Sequence, residues 1–205
     1  IAILDNFCWP SCNDPRNLGS LVRAAHGCYD GAKAYRTPFI SGKDSLNNQF
    51  TAEDGRTIRI PPTLLISGMG IVEDIRKCVT MDAKAAGNLL LIVGRTDEAI
   101  GGSHYSMIFG ASANDALPMV DLEAGPRTAQ AVAKMIAHGL VRSAHDCSEG
   151  GLLVAAAEMA MAGDFGLRLD LALLSKSGRE INAVAGCFAE TPSRYLLEIE
   201  RRNLD

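Results

Sequence analysis

The chain is predicted to be α+β, built as two pieces that join near residue 75. Three observations predict this. Helix and strand signals follow one another in mixed order, without the regular alternation of a parallel α/β sheet. A charged stretch, Glu73-Asp74-Ile75-Arg76-Lys77, separates one set of signals from the next. The chain's 205 residues, 47% of them hydrophobic, suffice for one large core or two small ones.

Ile1–Leu4 reads as a short buried strand followed by a polar loop through Pro15. From Asn17 to Tyr35 the apolar residues Leu18, Leu21, Val22, Ala25, Cys28, Tyr29 and Ala32 recur at helical spacing, with Asp14 as N-cap and Pro15 at the first helical position. Pro38-Phe39-Ile40 is a second short strand, and Gly55 turns a hairpin between Asn48–Thr51 and Thr57–Ile60. Leu64–Gly70 is a further strand. Beyond the charged stretch, Val79–Met81 and Asn88–Val93 are expected to form a hairpin around Ala85-Ala86-Gly87. A helix over Pro126–Gly139 and a strand over Val141–Ala144 lead to the His145–Gly151 loop. The Ala-rich segment Leu152–Met161 is helical and stops at Gly163, and Gly166–Leu171 and Tyr195–Glu200 are strands.

A net charge of -4 and a pI near 5.6 give no basic face, which argues against nucleic acid and anionic membranes as partners. The six cysteines are scattered without a CxxC pair, which argues against a zinc site or a disulfide framework and for reduced thiols in a cytoplasmic enzyme. Cys28 and Cys187 read as core filler. Ile1–Leu4 is too short for a signal sequence or a membrane span. The opening without Met and the charged close at Glu200–Asp205 are expected to be the cut ends of a longer protein.

Four polar segments follow apolar strands: Asp5-Asn6, Ser41-Gly42-Lys43-Asp44-Ser45, Gly101-Gly102-Ser103-His104-Tyr105, and His145-Asp146-Cys147-Ser148-Glu149-Gly150-Gly151. The second offers a glycine for close backbone approach, a cation, a carboxylate and two hydroxyls, the parts that hold a phosphate and its magnesium. It is not a Walker A loop, and it reads equally well as a polar turn. The fourth places carboxylates and a hydroxyl before a helix start whose Gly150-Gly151 amides are expected to be open to an anion. The competing reading is that Ser148 or Glu149 merely caps the helix. Gly101-Gly102-Ser103 is a weaker anion nest, and His26 and His138 read as surface or packing residues. No spacing defines a catalytic nucleophile, so the residues point to a magnesium-nucleotide or phosphate binder.

Taken in order, these segments together with Glu190-Thr191-Pro192-Ser193-Arg194 resemble the second half of the synthetase region of the phosphoribosylformylglycinamidine synthases. That family is similar to aminoimidazole ribonucleotide synthetase, selenophosphate synthetase and thiamine monophosphate kinase. The resemblance implies an aminoimidazole ribonucleotide synthetase-like fold. Residues 1–75 would be the later part of an N-terminal α/β half, whose sheet pairs with a counterpart to form a barrel. Residues 78–205 would be most of a C-terminal α+β half. It implies an ATP- and Mg²⁺-dependent ligase of purine biosynthesis that joins ammonia from glutamine to formylglycinamide ribonucleotide.

By matched position, the resemblance makes Asp5, Gly42, Lys43 and Ser148 ATP-binding, Ser45 substrate-binding and Asp146 a metal ligand, with no catalytic residue in this chain. Lys43 departs from the family, many members of which carry a metal-binding Asn there; an ammonium cannot ligate Mg²⁺, so Lys43 is expected to meet a phosphate. The family's catalytic histidine and a set of metal ligands belong to regions outside this sequence. Implied partners are the first half of the synthetase, a glutaminase domain or subunit, and a second copy through an exposed sheet. Two alternatives stay open: a non-catalytic half that holds ADP as a scaffold, and another ATP-using member such as aminoimidazole ribonucleotide synthetase.

Overall fold

The structure, a computed structural model, describes residues 1–110, 115–172, 174 and 181–204. It divides into two compact units, Ile1–Glu73 and Asp74–Asp205.

The first unit is built on β1 (Ala2–Cys8), which outlasts the apolar run that announced it. Polar Asp5 and Asn6 stay extended because β1 is the central strand of a three-stranded sheet, parallel to β2 (Phe39–Ser45) and antiparallel to β5 (Thr63–Met69). Ladder partners on both sides override the loop-like composition. The same pairing corrects the expectation for Ser41–Ser45, which lies within β2 rather than in a loop. Helix α1 (Pro15–Tyr35) starts as expected, with Asp14 Oδ1 accepting from the Arg16 amide at 2.9 Å. It ends at Arg36 in the left-handed conformation, φ 54°.

Phe7 and Trp9 are buried, their rings 5.5 Å apart, and the Trp9 indole donates to Ser20 Oγ of α1 at 2.9 Å. Side chains alternate along a strand, so Asp5 shares this helix-covered face with Phe7. Leu65 and Met69 of β5 are 59% and 58% exposed. The hairpin β3 (Gln49–Thr51) and β4 (Thr57–Arg59) turns at Gly55, φ 82°.

The second unit begins with a short 3₁₀ turn, Ile75–Lys77, capped by Asp74. Its antiparallel sheet has the order β6 (Leu89–Val93), β8 (Tyr195–Ile199), β7 (Val141–Asp146), so the last strand in sequence is central. Helix α4 (Gly151–Gly163) covers one face, where Leu152, Ala155, Ala156 and Met159 pack with Leu196 and Cys147. Helix α3 (Ala124–Ala137) covers the other, where Val132 meets Val141 and Leu197. The unit also holds two short helices, α2 (His104–Phe109) and α5 (Ala183–Phe188). Among the described residues no helix is long and apolar enough to cross a membrane.

Two expected strands do not form. Val79–Met81 makes no hairpin with β6; the Ala144 amide donates to Thr80 O at 3.2 Å, and the amides of Lys84 and Ala85 bond to a side chain, Glu198. Gly166–Leu171, despite its Leu167, Leu169, Leu171 alternation, pairs with no described strand and borders a 1260 Å³ cleft that Leu89–Ile92 also line. Alternation is necessary for a half-buried strand, but a ladder partner must also be in reach.

Glu198 of β8 is 2% exposed, yet its carboxylate accepts from Lys84 N at 2.8 Å, Ala85 N at 3.1 Å, Asn88 Nδ2 at 2.6 Å and Ser143 Oγ at 2.7 Å. Burial alone would raise its pKa; these four donors outweigh burial and hold it below the ordinary carboxylate value. A depressed pKa gives stability that is present above the unfolded value of 4.5 and lost as pH falls through the folded one. Glu198→Gln would aim an amide NH₂ at groups that are themselves donors, at a cost of about 3 kcal/mol at pH 7. In urea denaturation of wild type and variant, that gap is expected to narrow as pH falls below 4.5. Equal stability at pH 7 would contradict it.

Candidate functional site

In the first unit the four nominated residues divide between the two faces of one sheet. Asp5 and Gly42 are register partners across β1 and β2. A methyl group on Gly42 would lie 2.6 Å from Asp5 Oδ2 and 2.7 Å from Cγ, so only glycine lets this carboxylate lie across β2. They occupy the face under α1, and Asp5's charge adds to burial in raising the thiol pKa of Cys28 on that helix. Lys43 and Ser45 alternate to the opposite face, where Lys43 Nζ donates to Ser45 Oγ. The structure therefore pairs Asp5 with Gly42 and Lys43 with Ser45, and it does not gather the four into one cluster.

In the second unit, Asp146 closes β7 and Ser148 follows it in the loop before α4. The Asp146 side chain is 57% exposed. A hydrogen bond with Ser148, followed by smaller contributions that include His145, holds its pKa below the ordinary value, so it is a carboxylate at neutral pH. His145 Nδ1 lies 3.3 Å from Asp146 Oδ1, and its Nε2 lies 2.9 Å from Glu158 Oε2 on α4. Glu158 was not singled out from the sequence. Its signal was available, since it is the one charged residue of an otherwise apolar helix.

The expectation that the Gly150 and Gly151 amides stand open is corrected. Gly150 (φ 76°) and Gly151 (φ 73°) are both left-handed, and no side chain of the loop caps α4. The Gly151 amide donates to Ser148 O at 3.2 Å, and the Gly150 amide to Glu190 Oε1 at 2.8 Å. The same oxygen accepts from the His104 amide at 2.9 Å and lies 2.9 Å from His104 Nδ1. At the weaker nest, Gly101 N donates to Ala116 O at 2.9 Å and Ser103 N to Ile100 O at 3.2 Å. The named amides of both presumed anion nests are thus engaged from within, Gly150 by Glu190 and the others by backbone carbonyls. Burial would raise the Glu190 carboxyl, but the His104 and Gly150 donors outweigh it and leave the pKa lowered; Glu190 in turn raises the pKa of His104.

Arg194 is 2% exposed; its guanidinium donates to Thr96 Oγ1 at 3.0 Å, beyond β6, and to the carbonyl of Ala189, which precedes Glu190. Beside it burial pushes the Cys147 thiol up to about 11, so this cysteine is a protonated core residue at neutral pH. Cys187 is also buried, as expected, whereas Cys28 is only half-buried. His26 and His138 are exposed, His138 at the end of α3.

Among the described residues no three His, Cys, Asp or Glu side chains form a metal cage. Asp146 does fit the lesser role of one carboxylate toward a magnesium carried by phosphates and water, which is how nucleotide-bound Mg²⁺ is commonly held. Lys43 has no lone pair to offer.

A sheet covered by helices on both faces, with glycine-containing helix starts gathered beyond its strand ends, defines this second unit. Residues 85–205 match "AIR synthase related protein, C-terminal domain", and the chain belongs to that family. The whole chain is similar to the "Phosphoribosylformylglycinamidine synthase subunit PurL" of Thermococcus sibiricus, with 33% identity over 205 residues. It spans 28% of that relative's length. Among solved structures it is similar to "T. maritima PurL complexed with AMPPCP", with a TM-score of 0.66 at 19% identity, covering 98% of this chain and 29% of that one. A second, "T. maritima PurL complexed with FGAR", gives a TM-score of 0.65 at 17% identity over 98% of this chain and 32% of that one. These two likenesses show the fold. The resemblance drawn from the ordered motifs, and the aminoimidazole ribonucleotide synthetase-like fold it implied, are borne out.

The closed nest makes a spectroscopic prediction. In a proton NMR titration His104 is expected to titrate above the ordinary value of 6.5, because Glu190 accepts from its ring. In Glu190→Gln its midpoint is expected to fall back toward that value. A midpoint unchanged by the substitution would contradict the pairing.

Proposed function

We propose that this chain is the second-half synthetase segment of a cytoplasmic phosphoribosylformylglycinamidine synthase. This is the ligase that converts formylglycinamide ribonucleotide, ATP and glutamine-derived ammonia to the formylglycinamidine ribonucleotide of purine biosynthesis. The observation that carries the reading is similarity along the whole chain to a PurL subunit, joined to an exposed, ionised Asp146 beside Ser148 at the start of α4. In this reading ATP activates the formamide oxygen as an iminophosphate, and ammonia displaces the phosphate. Such chemistry depends on positioning and charge neutralisation rather than on a protein nucleophile.

Asp146 would be a ligand of the nucleotide's magnesium, whose chemical contribution is to neutralise phosphate charge. Ser148 orients the Asp146 carboxylate and contacts ATP. Glu158 and His145 hold the same carboxylate from the α4 side. In the first unit, taken by itself, the resemblance makes Asp5 and Gly42 nucleotide-binding, Lys43 a point charge for a phosphate, and Ser45 a substrate contact. The first synthetase half and a glutaminase domain or subunit are the implied partners. The open sheet face bearing Leu65 and Met69 suits pairing with a like sheet, from that half or from a second copy.

The test is ADP release by the full-length protein with ammonia, with and without formylglycinamide ribonucleotide, for wild type and Asp146→Ala. Release that requires the substrate and falls about 100-fold in the variant is the expected result. Release indifferent to the substrate would refute the reaction. Substrate-dependent release unchanged in Asp146→Ala would make this half a nucleotide-holding scaffold.

A further inference from the structure

We infer that Glu190 is a positioning residue for the Asp146–Gly150 loop, acting as a remote cap that ties the starts of α2 and α4 together. The inference rests on the reading of that loop as a nucleotide site. One carboxylate oxygen meets three groups: the Gly150 amide at 2.8 Å, the His104 amide at 2.9 Å and His104 Nδ1 at 2.9 Å. Gly150 is 40 residues away in sequence and His104 is 86, so neither bond is a local turn.

The need for such a cap is written in the backbone. Gly150 and Gly151 are consecutive left-handed glycines, the most permissive joint a chain can have, and the loop provides no capping side chain of its own. The β7 ladder fixes the Asp146 backbone opposite Tyr195, but unrestrained, that joint would let Ser148 swing relative to α4 and with it the hydrogen bond that orients the Asp146 carboxylate. Glu190 is in turn held in place. Its neighbours Ala189, Thr191 and Arg194 are buried, Thr191 Oγ1 accepts from Asp97 N at 3.0 Å, and the Arg194 guanidinium donates to the Ala189 carbonyl. Gly151 sits so close to this turn that a methyl group there would lie 2.6 Å from Ala189 O. The turn therefore meets α4 twice, through close backbone packing at Gly151 and through a hydrogen bond at Gly150.

What Glu190 supplies is an acceptor oxygen at a fixed point, and this separates positioning from direct ligand contact. A glutamine keeps that oxygen and loses the charge; an alanine loses both. The experiment is calorimetric binding of a non-hydrolysable ATP analogue with Mg²⁺ to the full-length protein. Asp146→Ala identifies the binding that belongs to this loop. Glu190→Ala is expected to weaken that binding 10-fold or more, roughly the range for groups that orient a ligating side chain, whereas Glu190→Gln stays within about 3-fold of wild type. Wild-type affinity in Glu190→Ala overturns the inference, and so does a Glu190→Gln as weak as the alanine variant, which would make the charge itself the contact. Should Glu190→Ala not fold, His104→Ala decides, since it removes one of the three contacts. A several-fold loss supports the clasp and an unchanged affinity overturns it. Absence of any Asp146-dependent binding in wild type removes the nucleotide reading and this inference with it.

Discussion

A carboxylate buried in the middle of a sheet sets the architecture of the larger unit. Glu198 lies on the central strand, and a charge there costs several kcal/mol unless its oxygens are fully engaged. Four donors engage them: two backbone amides and a side-chain amide from the lead-in to β6, and the Ser143 hydroxyl of β7. The three strands and the 84–88 segment must therefore assemble together, although more than 100 residues separate Lys84 from Glu198. The alternation around it follows. Leu196 turns to the α4 core and Leu197 to the α3 core, so a one-residue slip would move the carboxylate to the wrong face and strand its donors.

Glu190 repeats the device nearer the functional loop. Here the donors are helix-start amides and an imidazole, and the carboxylate does what an N-cap does locally, but from across the fold. Both glutamates belong to one stretch of chain, since the turn carrying Glu190 runs through buried Arg194 into β8. The strand that organises the core thus also places the cap that steadies the Asp146 loop. Asp146 and Ser148 remain exposed beyond it, free to meet a ligand.

The parts of the fold legible in the sequence are those with local causes. Asp14 and Pro15 announce α1 because capping chemistry is complete within a few residues, and Gly55 announces its hairpin for the same reason. The missed features have distant causes. Asp5 and Asn6 look like a loop until strands are found on either side of them, and Ser41–Ser45 until β1 is found beside it. Val79–Met81 has strand residues, but the amides that follow it bond to Glu198. Gly166–Leu171 has the alternation without the partner. The site divides in the same way. Asp146 and Ser148 are readable as a motif, whereas the Glu158 and Glu190 contacts and the separation of Asp5 from Lys43 across a sheet depend on tertiary placement. Of the two glycines that looked like open anion donors, Gly151 is closed locally by Ser148 O, but Gly150 is occupied by a residue 40 positions away, which no local pattern reveals.

The central functional claim is that Asp146 faces a nucleotide-borne divalent ion, and manganese gives the most direct view of it. Electron paramagnetic resonance of Mn²⁺ with a non-hydrolysable ATP analogue counts the tightly bound ions on the full-length protein. Asp146→Asn keeps the size of the side chain and removes its charge. The expected result is one tightly bound ion fewer per chain in the variant than in wild type. The same number of ions, bound with the same affinity, would place the metal elsewhere and leave Asp146 a surface carboxylate held by Ser148 and His145.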